Sequence, residues 1–186
     1  MQSINSKFTR FLFFFLAASL TVWTSCEKDD DEGPDNEEEL ITTVRLTFTD
    51  SAGNDNIFTF SDTDGAGGNP PVAQDITLAP NTSYALSVEF LDESDAANVE
   101  DITEEIKTES DEHRLCFDYT LPIASIDNLN LDGNGKPLGL TSSVSTGDAG
   151  TGTLTLSLKH QPDKDSATPC ATGETDVEAT FDVIVQ

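Results

Sequence analysis

The sequence predicts an all-β domain over residues 41–186, an antiparallel, immunoglobulin-like β-sandwich of about eight or nine strands with one short helix. Short segments alternate apolar and polar residues, which is the spacing of a strand with one buried face. Clusters of Gly, Pro, Asn and Asp separate these segments at short intervals, and only one stretch has helical spacing. Frequent turns with almost no helix are typical of a sandwich.

The first half of this domain contains four predicted strands. In the first of them, Val44, Leu46 and Phe48 alternate with polar or charged residues, so one face is expected to be buried. Residues 50–55 form a predicted turn, and residues 61–71, rich in Asp, Gly and Pro, form a predicted loop. The four strands are Ile41–Thr49, Ile57–Phe60, Ile76–Leu78 and Tyr84–Phe90.

A short helix is predicted between the two halves of the domain. Val99, Ile102 and Ile106 are spaced at i, i+3 and i+7, which predicts one or two helical turns across one end of a sheet. After the helix, Asp132–Gly135 predicts a hairpin turn, because Asp-Gly and Asn-Gly favour a positive φ. The remaining predicted strands are Arg114–Tyr119, Ile123–Leu131, Leu138–Thr146, Leu154–Leu158 and Val177–Val185.

Residues 1–25 have the properties of a secretory signal peptide. Lys7 and Arg10 are their only charges, and the apolar run Phe11–Val22 is shorter than the about 20 apolar residues that span a bilayer. The small residues before Cys26 resemble the lipobox of bacterial lipoproteins, although Trp23 stands where Leu is usual. This resemblance implies cleavage before Cys26 and a lipid anchor on its sulfur. The alternative is ordinary secretion with Cys26 as a free thiol.

Residues 26–40 form a predicted acidic tether. They are dense in carboxylates and poor in apolar residues, so they are expected to stay extended. The tether begins with a run that resembles the export tag of Bacteroidota-type lipoproteins: Lys28, Asp29, Asp30, Asp31 and Glu32. The resemblance implies attachment to the outer membrane facing the cell surface, with a periplasm-facing orientation as the alternative.

Charge and cysteine content restrict the partners and the fold. The formal net charge is −26, and all 35 acidic residues follow residue 25, so electrostatic repulsion excludes binding to nucleic acid. In an exported chain, Cys116 and Cys170 are expected to form a disulfide bond. Two buried free thiols are the alternative for this pair.

Both histidines and several acids fall at predicted strand ends. Glu112 and His113 precede one strand, His160 ends another, and Glu174 and Asp176 open the last. If these strand ends share one rim of the sandwich, their imidazoles and carboxylates would gather into a divalent-metal site. The alternative is that these residues are exposed or satisfy backbone groups at strand ends.

A second, weaker pattern for a metal site lies in the predicted hairpin. Asn130–Gly135 places oxygen donors at alternate positions, as the first half of an EF-hand calcium loop does. The twelfth position is Thr141 instead of the bidentate Glu that the loop requires. A turn therefore explains these residues without a metal.

Four segments of the domain resemble small, uncharacterised lipoproteins of Bacteroidota type. They are Glu100–Glu105, Asp111–His113, Leu158–Pro162 and Gly173–Glu178. Such proteins are sometimes described as members of the type 1 periplasmic-binding-fold superfamily. The length and the low helical content argue against the two α/β lobes of that fold. The resemblance implies no functional residue.

The sequence contains no catalytic or nucleotide-binding motif, so we expect a protein that is not an enzyme and needs no cofactor. The leading hypothesis is a lipid-anchored cell-envelope protein that binds an unidentified solute, glycan or envelope-protein partner. The alternative is a lipoprotein that handles a divalent metal or haem through the His and acidic residues. A third hypothesis is an accessory subunit of a larger surface complex.

Overall fold

The computed structural model describes residues 40–65 and 68–186. The leader, the candidate lipidation site Cys26 and the export tag lie outside these residues. The described chain forms β1 (Thr43–Thr49), β2 (Asp55–Ser61), β3 (Val72–Ala73), β4 (Ile76–Leu78), β5 (Ser83–Asp92), β6 (Glu100–Asp101), α1 (Ile102–Thr108), β7 (His113–Tyr119), β8 (Ile123–Asp127), β9 (Thr141–Thr146), β10 (Gly150–His160) and β11 (Glu174–Val185).

These strands form two sheets, which confirms the predicted all-β sandwich. The larger sheet has the order β3-β2-β1-β5-β9-β8, with β6 also paired to β5, and the smaller has the order β4-β11-β10-β7. The prediction of a wholly antiparallel fold was wrong at one place, because β4 runs parallel to β11. The described residues contain eleven strands, two more than the upper figure of the eight or nine that the sequence predicts. These two are β3 and β6, which have two residues each and no detectable periodicity.

Alternating apolar residues of both sheets form the core. On β1, Val44, Leu46 and Phe48 are fully buried, as the alternation predicts. The rings of Phe60 and Phe181 meet across the two sheets with centroids 6.3 Å apart. Full burial of one such side chain contributes roughly 1.5–3 kcal/mol, so the facing apolar sides account for the packing of the two layers.

The predicted helix is present as α1, which begins after Asp101. The Asp101 carboxylate accepts a hydrogen bond from the Thr103 backbone N–H at 3.0 Å and so caps the helix. Ile102 and Ile106 are buried, whereas Val99 precedes the helix and is 51 % exposed. The helix therefore packs through two of the three predicted apolar positions, and a four-residue connection joins its end to β7.

The predicted hairpin around Asp132 is a longer connection than expected. Strand β8 ends at Asp127 and β9 begins at Thr141, so the flanking strands are shorter than the apolar pattern suggests. Between them a single antiparallel bridge joins Leu131 to Pro137. The predicted turn is present. The residues beside it form a loop, because local hydrogen bonds replace the pairing of the two strands.

A disulfide bond joins Cys116 of β7 to Cys170, with the two Cα atoms 5.9 Å apart. It attaches the loop between β10 and β11 to the outermost strand of the smaller sheet. Within the part of the chain described here, no helix is long and apolar enough to cross a membrane.

Candidate metal centre

The two histidines lie side by side at one end of the smaller sheet. His113 is the first residue of β7, His160 is the last residue of β10, and the two are directly opposite in the antiparallel register. The next pair on the same face, Leu115 and Leu158, belongs to the core, so both imidazoles point into the sandwich. His113 is 0 % exposed and His160 is 5 % exposed. Their rings stack with centroids 4.8 Å apart.

A β-bulge adds a carboxylate beside the two rings. Leu158 is opposite Val177 and Lys159 is opposite Thr175, so Asp176 is an additional residue on β11. A bulge redirects the side chain of the extra residue, and here the Asp176 carboxylate is only 3 % exposed. The alternation of β11 alone would place this acid on the outer face with Glu178.

His113, His160 and Asp176, called the His–Asp cluster below, bring one ligand atom each to within 4.8 Å of one another. The distance from His113 Nε2 to Asp176 Oδ2 is 3.9 Å, and that from His160 Nδ1 to Asp176 Oδ1 is also 3.9 Å. Both distances exceed a hydrogen bond. In a tetrahedral zinc site with bonds of about 2.0–2.1 Å, neighbouring ligand atoms lie about 3.3–3.4 Å apart, so the three side chains would have to move closer together to bind such an ion.

The protonation of His113 follows from its other ring nitrogen. Nδ1 lies 3.1 Å from the backbone carbonyl oxygen of Glu109, which can only accept, so Nδ1 carries the hydrogen. In the neutral ring, Nε2 then presents its lone pair towards Asp176. A divalent metal ion placed between this nitrogen and the carboxylate could bind to both.

The two other sequence-predicted acids lie outside this three-residue group. The Glu112 carboxylate lies beside the opposite ring nitrogen of His160, with Oε2 3.9 Å from Nε2, and its side chain is 48 % exposed. Glu174 is opposite His160 in the β10–β11 register and is an exposed residue. Neither residue belongs to the three-residue group that surrounds the potential metal position.

A cleft of about 450 Å³ borders the cluster. It lies between the segment before β1, residues of β2, and the first residues of β11, including Asp176. Phe60 and Val177 supply apolar surface, and Asp62 and Glu178 supply acidic groups. The cleft therefore places an acid-lined opening next to the buried carboxylate.

The loop after β10 packs against the strand end that carries His160. Gly173 has φ of +74°, and a side chain there would collide with the carbonyl group of His160. The disulfide to Cys116 of β7 also ties this loop down through Cys170. These constraints hold the loop against the strand end that carries His160.

The candidate calcium loop instead contains a buried ion pair. Asp132 Oδ1 accepts hydrogen bonds from the backbone N–H groups of Asn134 and Lys136 at 2.9 and 2.8 Å. Its Oδ2 accepts from Lys164 Nζ at 2.7 Å, and that ammonium also donates to the Ser110 carbonyl at 2.6 Å. N–H donors therefore occupy the oxygens that calcium would need.

Burial would raise the pKa of Asp132, but the Lys164 ammonium and the backbone N–H groups outweigh this effect and hold the pKa below its ordinary value. The Lys164 side chain is 7 % exposed and that of Asp132 is 1 % exposed. We refer to these two residues as the Asp132–Lys164 pair. Sequence reasoning missed Lys164, because a single lysine in a polar loop is normally exposed.

Comparisons with protein-family models, curated protein sequences and solved structures find no match for this chain.

Proposed function

We propose that this chain is a non-enzymatic, envelope-anchored protein whose β-sandwich binds a divalent transition-metal ion at the His–Asp cluster. The observation that carries the proposal is the convergence of two buried imidazoles and one buried carboxylate within 4.8 Å. Exposed acids gather on many surfaces without binding metal. Two histidines and an aspartate inside an apolar sandwich are unusual, because burial of ionisable groups is costly unless they are paired or bind an ion.

The donor set favours a particular class of metal ion. Imidazole nitrogen suits Zn²⁺, Ni²⁺, Cu²⁺ and Fe²⁺, whereas Ca²⁺ and Mg²⁺ prefer oxygen ligands and larger coordination numbers. Three protein ligands also leave one position of a tetrahedral ion for water or a fourth group. We therefore propose a zinc-like ion instead of a hard cation.

Haem fits this arrangement poorly. The stacked rings of His113 and His160 are 4.8 Å apart and parallel within 5°. A porphyrin held by two histidines needs the ring edges to point at the iron from opposite faces, and stacked rings leave no space for the macrocycle. The metal part of the sequence-based alternative is therefore retained in the proposal, and the haem part is not.

The proposal also includes a location for the domain at the outer membrane, which depends on the N-terminal sequence alone. A signal peptide over residues 1–25 and a lipid on Cys26 would hold the domain at the outer membrane. The acidic tether after Cys26 would extend the domain from the surface and attract cations towards it. Export past the cytoplasm also suits an envelope protein that captures metal ions outside the cell.

Thermal unfolding of the purified, chelator-treated protein tests the proposal. We expect Zn²⁺, Ni²⁺ or Co²⁺ to raise stability, by about 2.7 kcal/mol at a free concentration one hundred times the Kd, and Ca²⁺ and Mg²⁺ to have no comparable effect. Replacement of both histidines, His113→Ala with His160→Ala, should abolish the rise.

Because the double histidine variant removes core volume, a milder substitution is needed beside it. Asp176→Asn keeps the shape of the side chain and removes its charge, and Asp182→Asn is its control on the exposed face of the same strand. The metal-dependent rise should shrink in the first variant and persist in the second. An equal rise in Asp176→Asn and the original protein, or no rise with any transition metal, would contradict the proposal.

A further inference from the structure

We infer that Glu112 is a positioning residue for this site, which keeps the hydrogen of His160 on Nε2 and so directs the Nδ1 lone pair towards the metal position. The expected effect of Glu112 on metal affinity rests on the proposed metal-binding function. Its structural part concerns the protonation of one imidazole and holds in the metal-free protein as well. Glu112 would act through His160 and would not touch the metal.

The need for a positioning group arises from the symmetry around His160. Its Nδ1 lies 3.9 Å from the Asp176 carboxylate, and its Nε2 lies 3.9 Å from the Glu112 carboxylate. Each carboxylate attracts the ring hydrogen to its own side. If Asp176 prevailed, Nδ1 would carry the hydrogen and could not bind a metal beside Asp176. Glu112, at the same distance on the other side of the ring, offsets that attraction and so supports the tautomer that binds metal.

His113 shows the same arrangement with a different acceptor. Its Nδ1 hydrogen is bound by the Glu109 carbonyl, which directs Nε2 towards Asp176. Glu109 and Glu112 belong to the four-residue connection between α1 and β7. This one segment thus places a carbonyl oxygen 3.1 Å from the outer nitrogen of His113 and a carboxylate oxygen 3.9 Å from the outer nitrogen of His160, close enough to approach it when a metal binds. Metal-binding histidines typically donate their second N–H to a carbonyl or a carboxylate in this way.

Hydrogen bonds hold Glu112 in position. The Gln161 backbone N–H donates to the Glu112 carbonyl at 2.6 Å, and the Gln161 side-chain amide donates to Oε2 at 3.1 Å. The Glu112 backbone N–H donates to the Glu109 carbonyl at 2.8 Å and closes the turn. Two backbone hydrogen bonds therefore hold the Glu112 main chain, and one to Oε2 orients its half-exposed carboxylate beside the ring of His160.

The test compares Glu112→Gln with Asp111→Asn in the purified protein. Asp111 is an exposed acid next to Glu112, so its substitution removes the same charge from the same segment. Metal affinity is measured by competition for Zn²⁺ with a chromophoric chelator, and the tautomer of His160 by ¹⁵N NMR of the metal-free protein. We expect Glu112→Gln to weaken Zn²⁺ binding by about 10–100-fold.

The NMR measurement separates a positioning role from a general effect of charge or stability. In Glu112→Gln the hydrogen of His160 should move from Nε2 towards Nδ1, whereas Asp111→Asn should keep the original tautomer and its Zn²⁺ affinity. An unchanged tautomer in Glu112→Gln, or equal losses of affinity in both variants, would overturn the inference. If the original protein binds no Zn²⁺, the proposed function fails, and the tautomer shift alone decides the role of Glu112.

Discussion

The domain buries two groups of ionisable side chains, and their internal spacings differ. In the Asp132–Lys164 pair, N–H donors lie 2.7–2.9 Å from the carboxylate oxygens, so the charges are in direct hydrogen-bond contact. In the His–Asp cluster, the corresponding nitrogen–oxygen distances are 3.9 Å. The two groups are neighbours through one segment, because Ser110 contacts the pair and Glu109 contacts the cluster.

This difference separates a structural ion pair from a candidate ion-binding site. A carboxylate surrounded by N–H groups at hydrogen-bond distance has its charge compensated within the protein. A carboxylate held 3.9 Å from a nitrogen of each of two rings offers three ligand atoms to a cation, which would draw them closer together. The first arrangement joins loops to one another. The second is built on strand ends and on a bulge.

Loss of the disulfide is expected to give the largest change in stability, and it tests whether strands or loops hold the cluster. Cys116→Ser with Cys170→Ser opens a cross-link with a sequence separation of 54. The free energy of unfolding should fall by about 4 kcal/mol on the loop-entropy model. Zn²⁺ affinity of the folded protein should change little, because His113, His160 and Asp176 lie on strands. Denaturant unfolding and metal titration of the same sample measure both quantities.

A fall in affinity as large as that for Glu112→Gln would show instead that the loop after β10 shapes the cluster.

Removal of the buried lysine is expected to have a smaller effect that does not depend on metal. Lys164→Met removes the ammonium and keeps most of the side-chain volume. We expect a loss of about 3 kcal/mol, at the low end for breaking a buried pair, because Asp132 keeps two backbone N–H donors. The matched control is Lys136→Met, which breaks an exposed pair with Asp165 and should leave the unfolding midpoint nearly unchanged.

Both lysine variants should be unfolded with Zn²⁺ and with chelator. If Zn²⁺ restored the stability lost in Lys164→Met, the Asp132–Lys164 pair and the His–Asp cluster would not be independent.

The smallest expected effect is the pH dependence of the Asp132–Lys164 pair. The pKa of Asp132 is lower in the folded protein than in the unfolded chain, so its contribution to stability is fully present above the unfolded value of about 3.9. It is lost as the pH falls through the folded value. The difference in unfolding free energy between the original protein and Asp132→Asn should therefore be constant near neutral pH and shrink below about pH 4. A difference that grows on acidification would contradict this assignment.

Most of the fold could be predicted because its strands are long enough to show a period. Val44, Leu46 and Phe48 on β1, and the leucines of β10, alternate over many residues and are buried as expected. The two-residue strands β3 and β6 have no period and arise only from pairing with β2 and β5. The parallel contact of β4 with β11 also depends on tertiary packing, which local sequence does not encode.

The candidate site could be predicted only in part. The sequence marks His113 and His160 as strand-end residues, but their contact depends on the pairing of β7 with β10. The position of Asp176 depends on a bulge, and a regular strand would direct this carboxylate outwards. Glu109 contributes a backbone carbonyl, for which the residue type gives no signal.

X-ray absorption at the zinc edge, on purified protein loaded with one equivalent of Zn²⁺, tests the metal site most directly. The His–Asp cluster predicts a first shell of nitrogen and oxygen at about 2.0–2.1 Å, with outer-shell scattering from two imidazole rings. His160→Ala should reduce that scattering to one ring. A shell of oxygen alone, or imidazole scattering unchanged in His160→Ala, would show that zinc binds elsewhere on this acidic protein and would contradict the account.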